Sequence, residues 1–258
     1  MTNNVEGKSI VITGAGSGFG KLVSEKAAAL GGKITCGDIN LAAAEAVAAG
    51  IRANGGQAQA VQVDVTQMDQ VRALAKAAVA AHGAIDVMIN NAGIMPLAFY
   101  SDHEIAFDAW NRCIDINIKG VMNGMLAVYD QMIAQGQGQI INLSSIYGNH
   151  PTIGGGVYGA TKSAVNFLSE SLRIEARGKI KVTVVKPTGV LTTGLGGTVI
   201  NPAAGIGSTS MAPSPSRQEA QRNGSPTCDS VARVWPSALI ASATSSTSRP
   251  RSEEHTSE

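Results

Sequence analysis

Short runs of β-branched and other apolar residues, alternating with longer alanine-rich stretches, constrain this chain more than any other feature. The runs are Ser9–Ile12, Lys33–Cys36, Gln59–Val63, Val87–Asn90, Gln139–Leu143 and Lys181–Val185. The stretches between them, at 19–31, 41–54, 68–82, 104–135 and 157–177, carry helical patterns. Strand then helix, repeated, with strands apolar nearly throughout, predicts a parallel sheet covered on both faces. The expected class is α/β, a doubly wound parallel sheet in three α/β/α layers. Right-handed crossovers set the carboxyl ends of the strands along one edge, where such sheets bind ligands.

A length of 258 residues suits one such domain, and a hydrophobic share of 44% excludes global disorder. The formal net charge of +1 offers no basic field for nucleic acid. No apolar run reaches the ~18–20 residues of a membrane helix, and Met1–Lys8 lacks a signal-peptide core. Cys36, Cys113 and Cys228 are scattered, and His82, His103, His150 and His255 show no metal-ligand spacing. The expectation is a cytoplasmic protein in a reducing compartment, with no metal and no nucleic-acid or membrane partner.

The chain changes character near residue 207. Residues 1–206 read as one domain. Residues 207–258 hold 13 serines, against 9 in the preceding 206 residues, and five arginines but no lysine. Prolines at 213, 215, 226, 236 and 250 interrupt nearly every possible element. The tail reads as a low-complexity segment, disordered or translated out of frame. Its last residues, Arg251-Ser252-Glu253-Glu254-His255-Thr256-Ser257-Glu258, can be back-translated into a string resembling a sequencing-adapter stem.

The first run leads into Thr13-Gly14-Ala15-Gly16-Ser17-Gly18-Phe19-Gly20 and then a helical pattern. A glycine-rich turn between strand and helix lets backbone N–H groups approach a pyrophosphate, and the helix N-terminus adds a positive dipole end. Phe19 breaks the ordinary G-x-G-x-x-G fingerprint, but Gly14, Gly18 and Gly20 satisfy a Thr-Gly-x-x-x-Gly-x-Gly spacing. Asp38 ends the second run, where a carboxylate can accept both adenosine ribose hydroxyls and would repel a 2′-phosphate. No arginine stands at Ser17 or Ile39 to compensate, so NAD is favoured and NADP remains possible. Asp64 could bind the adenine edge or cap the helix starting near Met68. Asn90-Asn91-Ala92-Gly93 could tie strand ends together beside a cofactor, or form an ordinary turn.

Ser144 and Ser145 end the fifth run, and Tyr158-Gly159-Ala160-Thr161-Lys162 opens the next helix. The i, i+4 spacing stacks Tyr158 and Lys162 on one face. An ammonium there is expected to lower the tyrosine pKa from about 10, as would an oxidised nicotinamide, towards the range useful for acid–base work. Ser145 could hold a substrate oxygen at Tyr158, or serve as a cap. Asn117 could hold a water linking Lys162 to solvent, or be a satisfied core amide. No Gly-x-Ser-x-Gly elbow surrounds Ser17, which argues against a hydrolase.

In order and separation, Thr13–Gly20, Asn90–Gly93, Asn117, Ser145, Tyr158 and Lys162 resemble the classical branch of the short-chain dehydrogenase/reductase family, over roughly residues 5–200. The resemblance implies a Rossmann-like fold and reversible hydride transfer between NAD(P) and an alcohol/carbonyl pair. It implies Tyr158 as acid–base, Lys162 as ribose anchor and pKa modulator, Ser145 as carbonyl positioner and Asn117 as water holder. It also implies cofactor contacts at Gly14, Ser17, Gly18, Phe19, Gly20, Asp38, Ile39, Asp64, Val65, Asn91, Ala92, Gly93, Tyr158, Lys162, Pro187, Gly189, Val190 and Thr192. Thr188 departs from the family's Pro-Gly, and the tail offers neither the substrate-covering helix nor the seventh strand of family members.

The expected activity is interconversion of a secondary alcohol and a carbonyl compound, by a homodimer or homotetramer if the C-terminus is intact. The alternatives are a nucleotide sensor without catalysis or an inactive truncated product. Segments 94–103 and 146–157 and the region after 189 are expected to line the substrate pocket. Ile94, Met95, Leu97, Phe99, Ile146, Tyr147, Ile153 and Val157 suggest an apolar or cyclic substrate, and His150 reads as a surface-turn residue.

Overall fold

A computed structural model describes residues 4–188 and 194–204. The expected cofactor contacts at Gly189, Val190 and Thr192, and the reading of the 207–258 tail, lie outside the described residues.

Six strands build the sheet: β1 (Ser9–Thr13), β2 (Lys33–Asp38), β3 (Gln57–Gln62), β4 (Val87–Asn90), β5 (Gly138–Leu143) and β6 (Ile180–Val185). Their order is β3-β2-β1-β4-β5-β6, and every pairing is parallel. The crossovers run through α1 (Gly18–Ala29), α2 (Leu41–Ala53), α3 (Met68–His82), α4 (His103–Ile114), α5 (Gly120–Gln135) and α6 (Gly156–Glu175). Strand order reverses between β1 and β4, so a crevice opens at their carboxyl ends.

The period of two along each strand explains the layers. Ile10 and Ile12 join Ile34 and Cys36 on one face, under Val23 and Ala27 of α1 and Val47, Ala48 and Ile51 of α2. Val11 joins Met88 and Ile140 on the other, under Leu74 of α3, Val121 and Val128 of α5 and Val165 of α6. Each buried Ile, Leu, Val or Met side chain among these contributes about 1.5–3 kcal/mol. The helix ends follow local chemistry. The Asn40 side chain accepts from Ala43 N at 3.1 Å to start α2. Left-handed Gly83 and Gly136 end α3 and α5.

The helix expected over 104–135 runs without a break but changes its hydrogen-bond pattern part-way. A π-turn at Asp115–Lys119 separates α4 from α5. Two tertiary demands meet there. Asn117 is drawn to the backbone of Ile94, and α5 lies so close to the sheet that a Cβ on Gly124 would strike Asn90 Oδ1. Among the described residues β6 pairs with β5 alone.

Candidate active site

The turn after β1 is shaped by missing side chains. Gly14 and Gly18 hold φ of +65° and +50°, and a Cβ on Gly20 would overlap the Gly14 carbonyl. Asn91 clamps the turn, donating from Nδ2 to the carbonyls of Thr13 at 2.9 Å and Gly14 at 3.1 Å. The Thr13 hydroxyl accepts from Asn91 N and Ala92 N. Asn90 Nδ2 donates to Asn142 Oδ1 at 2.8 Å. The segment 90–93 therefore ties the ends of β1, β4 and β5 together, as expected.

α1 opens at Gly18 with exposed Ser17 as N-cap. Ser17 makes no side-chain cap, and no acidic residue sits in the first turn. The N–H groups and positive dipole end of α1 are thus left for an anion. Asp38 closes β2, its Oδ2 accepting from Gly16 N at 2.8 Å and its Oδ1 from Asn40 N at 2.9 Å. Ile39 beside it is 65% exposed, and Phe19 packs partly into the core. The cradle, the uncapped helix end and the carboxylate fit a dinucleotide.

Asp64 is not the cap of α3, whose N-cap is Gln67. Its Oδ1 accepts from the amide and hydroxyl of Thr66 in the turn before that helix. Val65 is buried, and its carbonyl accepts from Asn123 Nδ2. Pro187 reaches the same edge, its carbonyl accepting from Ile146 N at 3.3 Å.

Tyr158 and Lys162 lie one turn apart at the start of α6, both buried. Ser145, which follows β5, lies near the Tyr158 hydroxyl and favours its phenolate. The Ser145 side chain accepts from Tyr147 N at 3.2 Å, capping the short turn Ile146–Gly148. Lys162 Nζ donates to Leu143 O at 2.8 Å and stands 5.7 Å from the Tyr158 ring centroid. Burial pulls Lys162 down to about 8. Burial also pushes Tyr158 up to about 12, with Ser145 acting the other way. The expected lowering of the Tyr158 pKa is reversed here, because desolvation of the phenolate outweighs the groups that favour it.

Asn117 is fully buried in the π-turn. Its Oδ1 accepts from Ile94 N at 3.0 Å, and its Nδ2 faces Ile94 O at 2.9 Å, Thr161 Oγ1 at 3.1 Å and Cys113 Sγ at 3.2 Å. It is a satisfied core amide whose two donors are committed to protein, so a water would have to be held by oxygen. Cys113 and Thr161, assigned no site role from the sequence, both border this amide. Burial pushes the Cys113 thiol up to about 11, which keeps it an inert neutral group.

An apolar wall adjoins Tyr158. Leu97, Cys113 and Ala204 pack with it, flanked by Ile94, Met95, Phe99, Tyr147 and Val199. Tyr147 meets Tyr158 edge to face, with centroids 5.8 Å apart. Segment 194–204 crosses this wall, with Thr198 Oγ1 accepting from Met95 N, and Ile200 N and Asn201 N donating to Leu97 O. Ile153 is exposed and Ile146 and Val157 are not part of this cluster; His150 is exposed, as expected. Among the described residues no group of three potential metal ligands occurs.

The model of the short-chain dehydrogenase family matches residues 8–201. An uncharacterized oxidoreductase of Listeria monocytogenes, Lmo0432, is 39% identical over 191 residues, covering 73% of this chain and 76% of that protein. The 2,5-dichloro-2,5-cyclohexadiene-1,4-diol dehydrogenase LinX of Sphingobium indicum is 35% identical over 194 residues, covering 74% and 76%. A short-chain dehydrogenase/reductase from Burkholderia phymatum, solved with NAD, superposes with a TM-score of 0.78 at 30% identity, covering 93% of this chain and 88% of its own. A metagenomic short-chain oxidoreductase solved with NADP gives 0.66 at 32% identity, covering 71% and 83%. With its Rossmann-like parallel sheet, glycine cradle and matched span, the chain belongs to the short-chain dehydrogenase family of oxidoreductases.

Proposed function

We propose that this chain interconverts a secondary alcohol and a ketone, using a nicotinamide dinucleotide held by the glycine turn. The observation that carries this reading is buried Tyr158 with Ser145 near its hydroxyl and Lys162 one turn along α6, its Nζ 5.7 Å from the ring centroid, at the strand ends that carry the cradle. When bound, the dinucleotide takes up or supplies the hydride. Gly14, Ser17, Gly18, Phe19 and Gly20 would hold its phosphates, and Asp38 and Ile39 its adenosine end. Asp64, Val65, Asn91, Ala92, Gly93 and Pro187 would complete the crevice.

Ser145 holds the substrate oxygen, and Tyr158 transfers the proton to or from it. A hydroxyl kept protonated by burial is a ready donor to a carbonyl at neutral pH. Lys162 supplies positive charge beside the ring, and Asn117 and Lys162 both border Gly93. The carboxylate of Asp38 favours NAD, because a 2′-phosphate beside it would be repelled. NADP is the runner-up, as bound by the metagenomic relative. The wall of Leu97, Met95, Phe99 and Val199 suits an apolar or cyclic substrate, a class to which the diol named for LinX belongs.

Free, buried Cys36 and Cys113 suit a reducing cytoplasm, and among the described residues no helix is long and apolar enough to cross a membrane. Exposed Ile105, Phe107 and Leu126 on α4 and α5, with Phe167 and Ile174 on α6, support self-association as a homodimer or homotetramer. The direct test is a screen of ketones, sugars, steroids and acyl carbonyls with NADH and NADPH. Turnover of a carbonyl with NADH is expected. Tight NADH binding with no turnover across the panel would instead indicate a nucleotide sensor.

A further inference from the structure

Thr161 precedes Lys162 and is not used by the chemistry above, yet its buried hydroxyl sits at a junction. It donates to Tyr158 O at 2.7 Å, one turn back along α6. With its proton committed there, it can only accept from its other neighbours. Two neighbours are placed to donate, Asn117, whose Nδ2 lies 3.1 Å away, and Cys113, whose Sγ lies 3.9 Å away.

Ile94 holds the same amide from the opposite side, its N–H on Oδ1 and its carbonyl on Nδ2. The amide is thus clamped between the loop after β4 and the turn of α6 that carries the reactive pair. A Cβ on Gly93 would lie 3.1 Å from Asn117 Oδ1 and 3.6 Å from Lys162 Nζ. The amide oxygen and the ammonium therefore border one small space, and a flipped amide would turn a donor toward that ammonium.

We propose that Thr161 is a positioning residue, whose hydroxyl docks the Asn117 amide onto the catalytic turn of α6 and keeps its oxygen on the Lys162 side. Ile94 fixes the amide to a loop. Thr161 fixes it to the helix that bears Tyr158 and Lys162. This assignment rests on the alcohol/carbonyl reading of the site, because the aligned oxygen matters for moving a proton past Lys162.

The test compares Thr161→Ser with Thr161→Ala in the full chain. The two variants share the loss of the methyl group and differ by one oxygen, so a packing defect affects both. Thr161→Ser should keep kcat within about twofold of the parent, and Thr161→Ala should lose about tenfold, with the pH profile of kcat displaced in the alanine variant alone. NADH affinity, read by its fluorescence, should be unchanged in both. In 15N-labelled protein the Asn117 side-chain amide should stay protected from exchange in the serine variant and lose that protection in the alanine variant. Equal kcat and equal amide protection in the two variants would overturn the proposal. Absence of turnover in the parent would count against the proposed function, and the amide exchange would still decide the role of Thr161.

Discussion

The Lys162 ammonium donates to the Leu143 carbonyl at 2.8 Å, from the helix after β5 back to the last residue of that strand. The bond pins the start of α6 to the strand end that delivers Ser144 and Ser145. The Ser144 hydroxyl returns it by donating to Lys162 O at 3.0 Å. Lys162 is thus a fastener of the fold, buried where its charge is costly.

That burial gives a pH signature. Lys162 is lowered from 10.5 to about 8 in the folded protein. Between those values the unfolded chain holds a proton that the folded protein lacks, so stability rises with pH across the window. Above pH 9 the Cys36 and Cys113 thiols, raised from 9.0 to about 11, act in the opposite direction. The parent should gain stability from pH 8 to 9 with a slope of at most about 1.4 kcal/mol per pH unit. Lys162→Met should lack this gain. Urea denaturation of both proteins over pH 7–10 measures the difference, and parallel curves would remove the buried charge from the account.

Tyr158 predicts an asymmetry between the two directions. Because burial holds its proton through the neutral range, carbonyl reduction should be nearly independent of pH from 6 to 8. Alcohol oxidation needs the phenolate, and its kcat/KM should climb about tenfold per pH unit over that range. Initial rates in both directions at constant ionic strength test this. A flat oxidation profile would point to a different base.

The carboxylate of Asp38 should set the cofactor choice. Asp38→Ala should lower kcat/KM for NAD by about tenfold, the cost of an interaction of 1–2 kcal/mol, and raise the NADP-to-NAD ratio. An unchanged ratio would assign Asp38 to the Gly16 and Asn40 amides alone.

Gly20→Ala tests the cradle without adding or removing a polar group. The added methyl would meet the Gly14 carbonyl, and Asn91 Nδ2 at 2.7 Å. Thermal denaturation should show a loss of about 1–3 kcal/mol, and an NADH fluorescence titration should show weakened binding. Parent-like binding would move the phosphate site elsewhere.

Much of this architecture is legible before any coordinates. Ile10, Val11 and Ile12 alternate between two cores because the sheet is covered on both faces, and their apolar run signals that. The Tyr158–Lys162 spacing and the glycine turn are local in sequence, so their placement follows from one strand or one helix. Features made by distant contacts were not legible. The π-turn at Asn117 depends on Ile94, 23 residues away, while the residues on either side keep a helical pattern. The network of Cys113, Asn117 and Thr161 spans three elements. The direction of the Tyr158 shift depends on how deeply the ring is buried, which no spacing encodes. The crossing of 194–204 over Leu97 rests on backbone bonds that any sequence could make; its polar side chains, Thr198 and Asn201, were the available signal.

The most direct test of the central claim is Tyr158→Phe, which removes one oxygen from a buried ring and leaves the cradle intact. NADH binding followed by cofactor fluorescence and carbonyl-dependent NADH oxidation should be measured on the same preparation beside the parent. We expect binding within about twofold of the parent and turnover reduced at least about a hundredfold. Turnover at the parental rate in this variant would contradict the account.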